Sequence, residues 1–167
     1  MPNNLLKIYN ERLDLLYTTD RQNIASVRAV FNRDFQSILY LRFKQVVVKP
    51  TLADGENTMD RLFRHLTTVI VDEKTRKREF ETERSIRLHW IKYHLEEKKH
   101  TNVIVFSVAD EKRIYVLDKD ERYIIVFEPL RDRTGLFLLT AYYLEASRYK
   151  SIMKKYEKRG KDGVIWI

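Results

Sequence analysis

Four runs decide the fold: Val103-Ile104-Val105-Phe106-Ser107-Val108, Arg113-Ile114-Tyr115-Val116-Leu117, Tyr123-Ile124-Ile125-Val126-Phe127-Glu128 and Leu136-Phe137-Leu138-Leu139-Thr140-Ala141-Tyr142-Tyr143. Each is rich in β-branched and aromatic residues, and polar links separate them: Ala109 to Lys112, Asp118 to Arg122 and Pro129 to Gly135. Links that short join antiparallel neighbours, because parallel strands need a crossover of about a dozen residues or more. An antiparallel meander is therefore expected. Alternation along the last run places Leu136, Leu138, Thr140 and Tyr142 on one side, with Phe137, Leu139, Ala141 and Tyr143 on the other.

Upstream of Asn102 the apolar period is helical. After Asn3 and Asn4, plausible caps, Leu5, Ile8, Tyr9, Leu13 and Leu16 predict a helix from about Leu5 to Tyr17. Asp20 can cap a second helix carrying Ile24, Val27, Phe31, Phe35 and Ile38. From Ile38 to Val48 the chain turns β-branched and aromatic, which leaves helix and strand both open until Pro50 ends the segment. Asp54-Gly55 marks a turn, and Thr58 to Thr67 reads as a short helix with Met59, Leu62, Phe63 and Leu66 inward. The charged stretch Asp72 to Arg78 then leads into a helix from about Glu81 to Glu97. A basic helix follows the meander, and Val164-Ile165-Trp166-Ile167 is a candidate fifth strand. The expected class is α+β: N-terminal helices packed on one face of a four- to five-stranded antiparallel β-meander. Residues 1-50 are expected to be a helical region integral to the domain, and residues 51-167 its core with the basic C-terminal helix.

The 167 residues suffice for one domain, and 44% hydrophobic content with four Gly and three Pro excludes a disordered or low-complexity chain. The absence of Cys removes disulfides, thiolate metal sites and cysteine nucleophiles together. No apolar run is long enough for a membrane span, and Lys7, Glu11, Arg12 and Asp14 interrupt any signal-peptide pattern, so a cytoplasmic protein with no membrane partner is expected. Lys and Arg outnumber Asp and Glu by 32 to 24, and the net charge of +8 makes a polyanion the leading partner class. Between Arg148 and Lys161 stand Arg148, Lys150, Lys154, Lys155, Lys158, Arg159 and Lys161 against one acid, Glu157. A second cluster comprises Lys74, Arg76, Lys77, Arg78, Arg84 and Arg87.

Reactive side chains are densest in Glu83-Arg84-Ser85-Ile86-Arg87-Leu88-His89-Trp90-Ile91-Lys92-Tyr93-His94. On a continuous helix Arg87 and His94 fall on nearly one line, a cationic edge between two apolar faces. The run Arg84 to Ile91, with the later Tyr123 to Pro129 and Phe137 to Tyr142, resembles the phage- and mobile-element-associated nucleases of the barnase/EndoU/colicin/RelE-like group. The resemblance covers about residues 50 to 160. It implies a metal-independent endoribonuclease, a toxin or mobile-element effector, that holds RNA on one face of its sheet. tRNA is among the implied substrates and an antitoxin or immunity protein among the implied partners. No cofactor and no metal is implied.

Cleavage of RNA by its own 2′-hydroxyl needs a base, cations for the phosphoryl oxygens and an acid for the leaving oxygen. Histidine suits the proton transfers and arginine the phosphoryl oxygens. The chain has four His, namely His65, His89, His94 and His100. The candidate catalytic residues are Arg84, Arg87, His89, His94, Thr140 and Tyr142. Lys92, Arg148, Lys150, Lys154, Lys155, Lys158 and Arg159 are the candidate nucleic-acid contacts. One competing reading is a non-catalytic nucleic-acid-binding or virion-associated domain. Another is a magnesium-dependent DNA nuclease built on Asp72-Glu73-Lys74 with Asp54 or Asp60.

Overall fold

The computed structural model describes residues 3–37, 40–52, 54–108 and 110–160. After one 3-10 turn at Asn4–Leu6 comes α1 (Asp20–Phe35), capped by the Thr19 hydroxyl, which accepts from the Gln22 N–H. The hairpin of β1 (Arg42–Phe43) and β2 (Val46–Pro50) leads to α2 (Thr58–Thr67), where the Asn57 side chain accepts from the N–H groups of Met59 and Asp60. A second hairpin, β3 (Thr68–Asp72) and β4 (Lys77–Phe80), precedes two short helices, α3 (Thr82–Ser85) and α4 (Trp90–Leu95). The meander strands are β5 (Val103–Ser107), β6 (Ile114–Asp118), β7 (Tyr123–Pro129) and β8 (Gly135–Tyr143), and α5 (Ala146–Glu157) follows them.

The class is α+β, and β5 to β8 pair in succession antiparallel as their short links require. The sheet itself departs from expectation. It is mixed and six-stranded, in the order β1-β2-β8-β7-β6-β5, with β2 parallel to β8. Val47 and Val48 supply the β-branched residues for this pairing, so the segment before Pro50 is strand and residues 1-50 are not wholly helical. Gly135 permits the close approach, because a Cβ there would stand 2.9 Å from the Val47 carbonyl oxygen. Val164 to Ile167 lie outside the described residues.

Helices cover both faces of the sheet, not one. The larger core joins Leu13, Val27 and Phe31 to Trp90, Ile91, Phe127, Leu136, Leu138 and Ala141. A smaller core on the other face joins Ile152 of α5 to Phe106, Tyr115, Leu117, Ile124 and Val126. Every residue of β6 is consequently buried. The alternation expected along β8 breaks at a bulge: Val126 faces Thr140 and Phe127 faces Leu138, which leaves Leu139 as the extra residue. Leu136 and Leu138 therefore go with Ala141 into the larger core, while Leu139 and Tyr142 pack on the smaller.

Two expected helices are absent as such. Between Lys7 and Thr19 the chain is an irregular strap, although its apolar residues recur at helical spacing. Asn10 has φ 71°, and tertiary bonds satisfy the backbone instead of a helical ladder. Asn4 bonds both the N–H and the carbonyl of Asp14, the Trp90 indole donates to the Glu11 carbonyl, and Leu13 N–H donates to the Ile86 carbonyl. The helix expected over Glu81 to Glu97 splits into α3 and α4 with turns from Ile86 to His89. Arg87 and His94 therefore share no helical line.

Candidate nucleic-acid interface

A groove of about 450 Å³ opens between the β3–β4 hairpin, the second half of β8 and α5. β2 pairs with β8 only from Gly135 to Leu138, so Thr140 to Tyr143 lie beyond its end at Pro50. Five cationic side chains line the groove, namely Arg78, Arg84, Arg113, Arg148 and Lys155, together with His65, Tyr115, Thr140 and Tyr142. Among the described residues its lining contains neither Asp nor Glu. Glu111, from outside the lining, pairs with Lys155, and the four arginines leave a positive potential that an anionic ligand relieves.

Each element contributes for a local reason. Arg84 follows the Glu81 cap of α3 and reaches back to the end of α2, where its Nη1 donates to the carbonyls of His65 and Thr68 and to the Thr140 hydroxyl, 3.3 Å away. Its guanidinium lies 5.4 Å from the centre of the Tyr142 ring, and its buried Nε has no hydrogen-bond partner among the described residues. Arg78 donates to the Thr68 hydroxyl and carbonyl. The hydrogen bonds of both guanidinium groups go to neutral oxygens, and the Glu81 carboxylate acts on Arg84 through space. Burial lowers both guanidinium pKa values, with neighbouring arginines adding to the effect on Arg78, yet arginine remains charged under any such shift. On α5, Arg148, Ile152 and Lys155 recur at helical spacing and present one stripe to the groove.

His65 is the titratable group of different character. Burial first, then Arg78, Arg61 and Arg64, lower its pKa from 6.5 to about 4, so at neutral pH it is an uncharged imidazole and a weaker base than a free histidine. Tyr115 is its counterpart. Burial first, and then the hydrogen bond to Glu111, raise the phenol's pKa, which keeps it protonated. Lys155 Nζ stands 2.7 Å from the Glu111 carboxylate and 3.4 Å from the Tyr115 oxygen.

Of the residues expected at a site, the structure brings Arg84, Thr140, Tyr142, Arg148 and Lys155 together in the groove. Arg87, His89 and His94 are elsewhere, buried beneath the other face. Arg87 is 2% exposed, holds the Glu83 carbonyl and carboxylate at 2.6 and 2.7 Å, and lies 4.4 Å from the centre of the Tyr143 ring. It stands on no cationic edge open to a ligand. His89 Nε2 sits 3.0 Å from the Ile8 carbonyl, and burial lowers its pKa. His94 Nε2 lies 3.2 Å from Asp118, which also accepts from Tyr9 and Lys99. All three thus anchor the N-terminal strap or the turns beside it.

Lys92 pairs with Glu96 on α4 at 3.8 Å and does not line the groove. Lys150, Lys154 and Lys158 are exposed on α5 or just after it, and Arg159 folds onto the Tyr156 ring at 3.9 Å. Asp72 is committed to the β3–β4 turn, where it accepts from the N–H groups of Lys74 and Thr75, and Asp60 pairs with Arg28 at 2.7 Å. Among the described residues no three His, Asp or Glu side chains converge as a metal-holding group. No described helix is long and apolar enough to cross a membrane.

Sequence reasoning singled out neither His65 nor Arg113 nor Tyr115. The helical spacing of Arg61, Arg64 and His65 was the available signal for the first, and the alternation Arg113, Tyr115 for the other two. No family model matches the chain, and comparisons with curated proteins and with solved structures find no match.

Proposed function

We propose that the chain is a metal-independent endoribonuclease of the barnase/EndoU/colicin/RelE-like kind, with its active site in the groove between β8, the β3–β4 hairpin and α5. The observation that carries this reading is the wall of four arginines and Lys155, with no Asp or Glu in its lining among the described residues, around one neutral histidine. Arg78, Arg84, Arg113 and Arg148 hold the phosphate and stabilise the charge that grows on it in the transition state. His65 takes the 2′-hydroxyl proton. The 2′-oxygen then attacks phosphorus, a 2′,3′-cyclic phosphate forms, and the bond to the 5′-oxygen breaks. Lys155, whose ammonium carries protons beyond the one bonded to Glu111, gives the leaving oxygen its proton, and Glu111 and Tyr115 hold it in place. The Thr140 hydroxyl orients a non-bridging oxygen, and Tyr142 stacks on a base.

RNA is the substrate in this reading, with tRNA a natural candidate, and an antitoxin or immunity protein a natural inhibitor. The test is incubation of RNA in EDTA with the unsubstituted protein and with His65→Ala. Cleavage by the first, slowed about 10²- to 10⁴-fold in the second, is the expected result for loss of a general base. Retention of RNA without cleavage would make the groove a binding surface and nothing more.

A further inference from the structure

A second cavity of about 440 Å³ adjoins the groove across the start of β6. Arg113 lines both. Glu111 lines the second, yet its carboxylate is bound to Tyr115 and Lys155 of the first, so Glu111 and Arg113 form a ridge between two neighbouring concavities. The second cavity carries Lys112, Arg131 and the half-buried Glu128 on its rim and Ile114, Pro129 and Leu130 on its walls. It also holds an independent sign of a polar occupant. Ser107 is only 5% exposed, lines the cavity, and its hydroxyl has no hydrogen-bond partner among the described residues. A buried hydroxyl left without a partner costs stability unless a ligand or water satisfies it.

We infer that this cavity is a subsite for the nucleotide next to the scissile phosphate, and that the substrate is unpaired RNA longer than a dinucleotide. The inference rests on the proposed ribonuclease reading and adds the substrate's form. A cation shared by two concavities suits a backbone that crosses the ridge with its phosphate on Arg113 and its two flanking nucleotides turned to opposite sides. Lys112 and Arg131 meet the next phosphate, the apolar walls take the base, and Ser107 satisfies one polar edge. Bases in an A-form duplex are stacked and paired, so they cannot splay over a ridge, whereas those of a single strand or loop can. The volume lies within the roughly 300 to 1,000 Å³ of small-molecule sites.

The experiment compares kcat/KM for a dinucleotide, a single-stranded hexanucleotide and the same hexanucleotide annealed to its complement. It uses the full chain and a Lys112→Ser, Arg131→Ser double variant, both exposed positions whose replacement leaves folding intact. Binding energy from parts of a substrate remote from the reacting bond is used in the transition state, so the hexanucleotide is expected to be cut at least about tenfold faster than the dinucleotide. That advantage is expected to shrink to near unity in the double variant, and the duplex is expected to be cut at least about tenfold more slowly than the single strand. An undiminished advantage in the double variant overturns the subsite while leaving the groove's activity standing. Equal cutting of duplex and single strand overturns the requirement for unpaired RNA. Failure of the unsubstituted protein to cut any of the three overturns the ribonuclease reading and the subsite with it.

Discussion

At the scale of single residues, environment assigns roles that residue type alone does not. Arg87 stands out in the sequence and His65 does not, but Arg87 is sealed between Trp90, Tyr143 and Glu83 while His65 lines a cationic groove. Arg87→Ala leaves a cavity under two aromatic rings and removes bonds to the Glu83 carbonyl and carboxylate, which is expected to cost about 2 to 4 kcal/mol. Calorimetry should show a markedly lower melting temperature, with Arg87→Met retaining part of the loss through its volume. An unchanged transition would mean that the buried guanidinium contributes nothing. For His65 the pH dependence has a definite sign. The base works when unprotonated, so kcat/KM is expected to rise as pH climbs through about 4 and to be level near neutrality. Bound phosphate adds negative charge beside the imidazole, so the corresponding rise in kcat is displaced to higher pH. Stability follows the same shift. The unfolded imidazole takes its proton near 6.5 and the folded one near 4, so acidification across that window destabilises the fold, and His65→Asn removes that contribution. A kcat/KM profile that is flat from pH 3.5 to 6 would exclude His65 as the base.

At the scale of elements, α5 shows how a basic helix divides its work. The sequence presents its cations as one cluster, but the helical period sends Arg148, Ile152 and Lys155 to the groove and leaves Lys150, Lys154 and Lys158 in solvent. Arg148→Ala is therefore expected to flatten the dependence of log K on log salt for single-stranded RNA by about 0.7, the release from one phosphate contact. Lys150→Ala should change it by less, and a salt titration of binding compares the two. Equal slopes would remove the stripe from the interface. The elements also differ in how far they can be read in advance. Thr58 to Thr67 is legible because Asn57 caps it and Met59, Leu62, Phe63 and Leu66 keep one face. The β1–β2 hairpin is not, because its turn places Lys44 and Gln45 both at positive φ, where Asn-Gly or Gly-Gly would be the usual signal. The bulge at Leu139 is hidden for a related reason, since alternation carries no mark of the extra residue.

At the scale of the whole molecule, a two-faced sheet separates stability from the proposed chemistry. The strap, α1, α2 and α4 build the larger core on one face, while the groove opens on the other beside the smaller core under α5. Short-range pattern shows the meander, because its links are short. It cannot show the parallel pairing of β2 with β8 or the face to which α5 returns, because both depend on contacts between segments far apart in sequence. The site inherits that limit. Arg84, Thr140 and Tyr142 were legible as types, but only the docking of the β3–β4 hairpin and α5 adds His65, Arg113 and Tyr115 to them. Asp118 makes the larger face sensitive to acid. Burial alone would raise its carboxyl, but His94, Lys99 and Tyr9 outweigh that and hold it well below the usual range, so the stability it contributes above pH about 3.9 falls away under stronger acid. The central claim concerns the opposite face, and the termini of RNA cut in EDTA test it most directly. Attack by the 2′-hydroxyl predicts a 2′,3′-cyclic phosphate on one fragment and a 5′-hydroxyl on the other, whereas fragments ending in 3′-hydroxyl and 5′-phosphate, or RNA left intact, would contradict it.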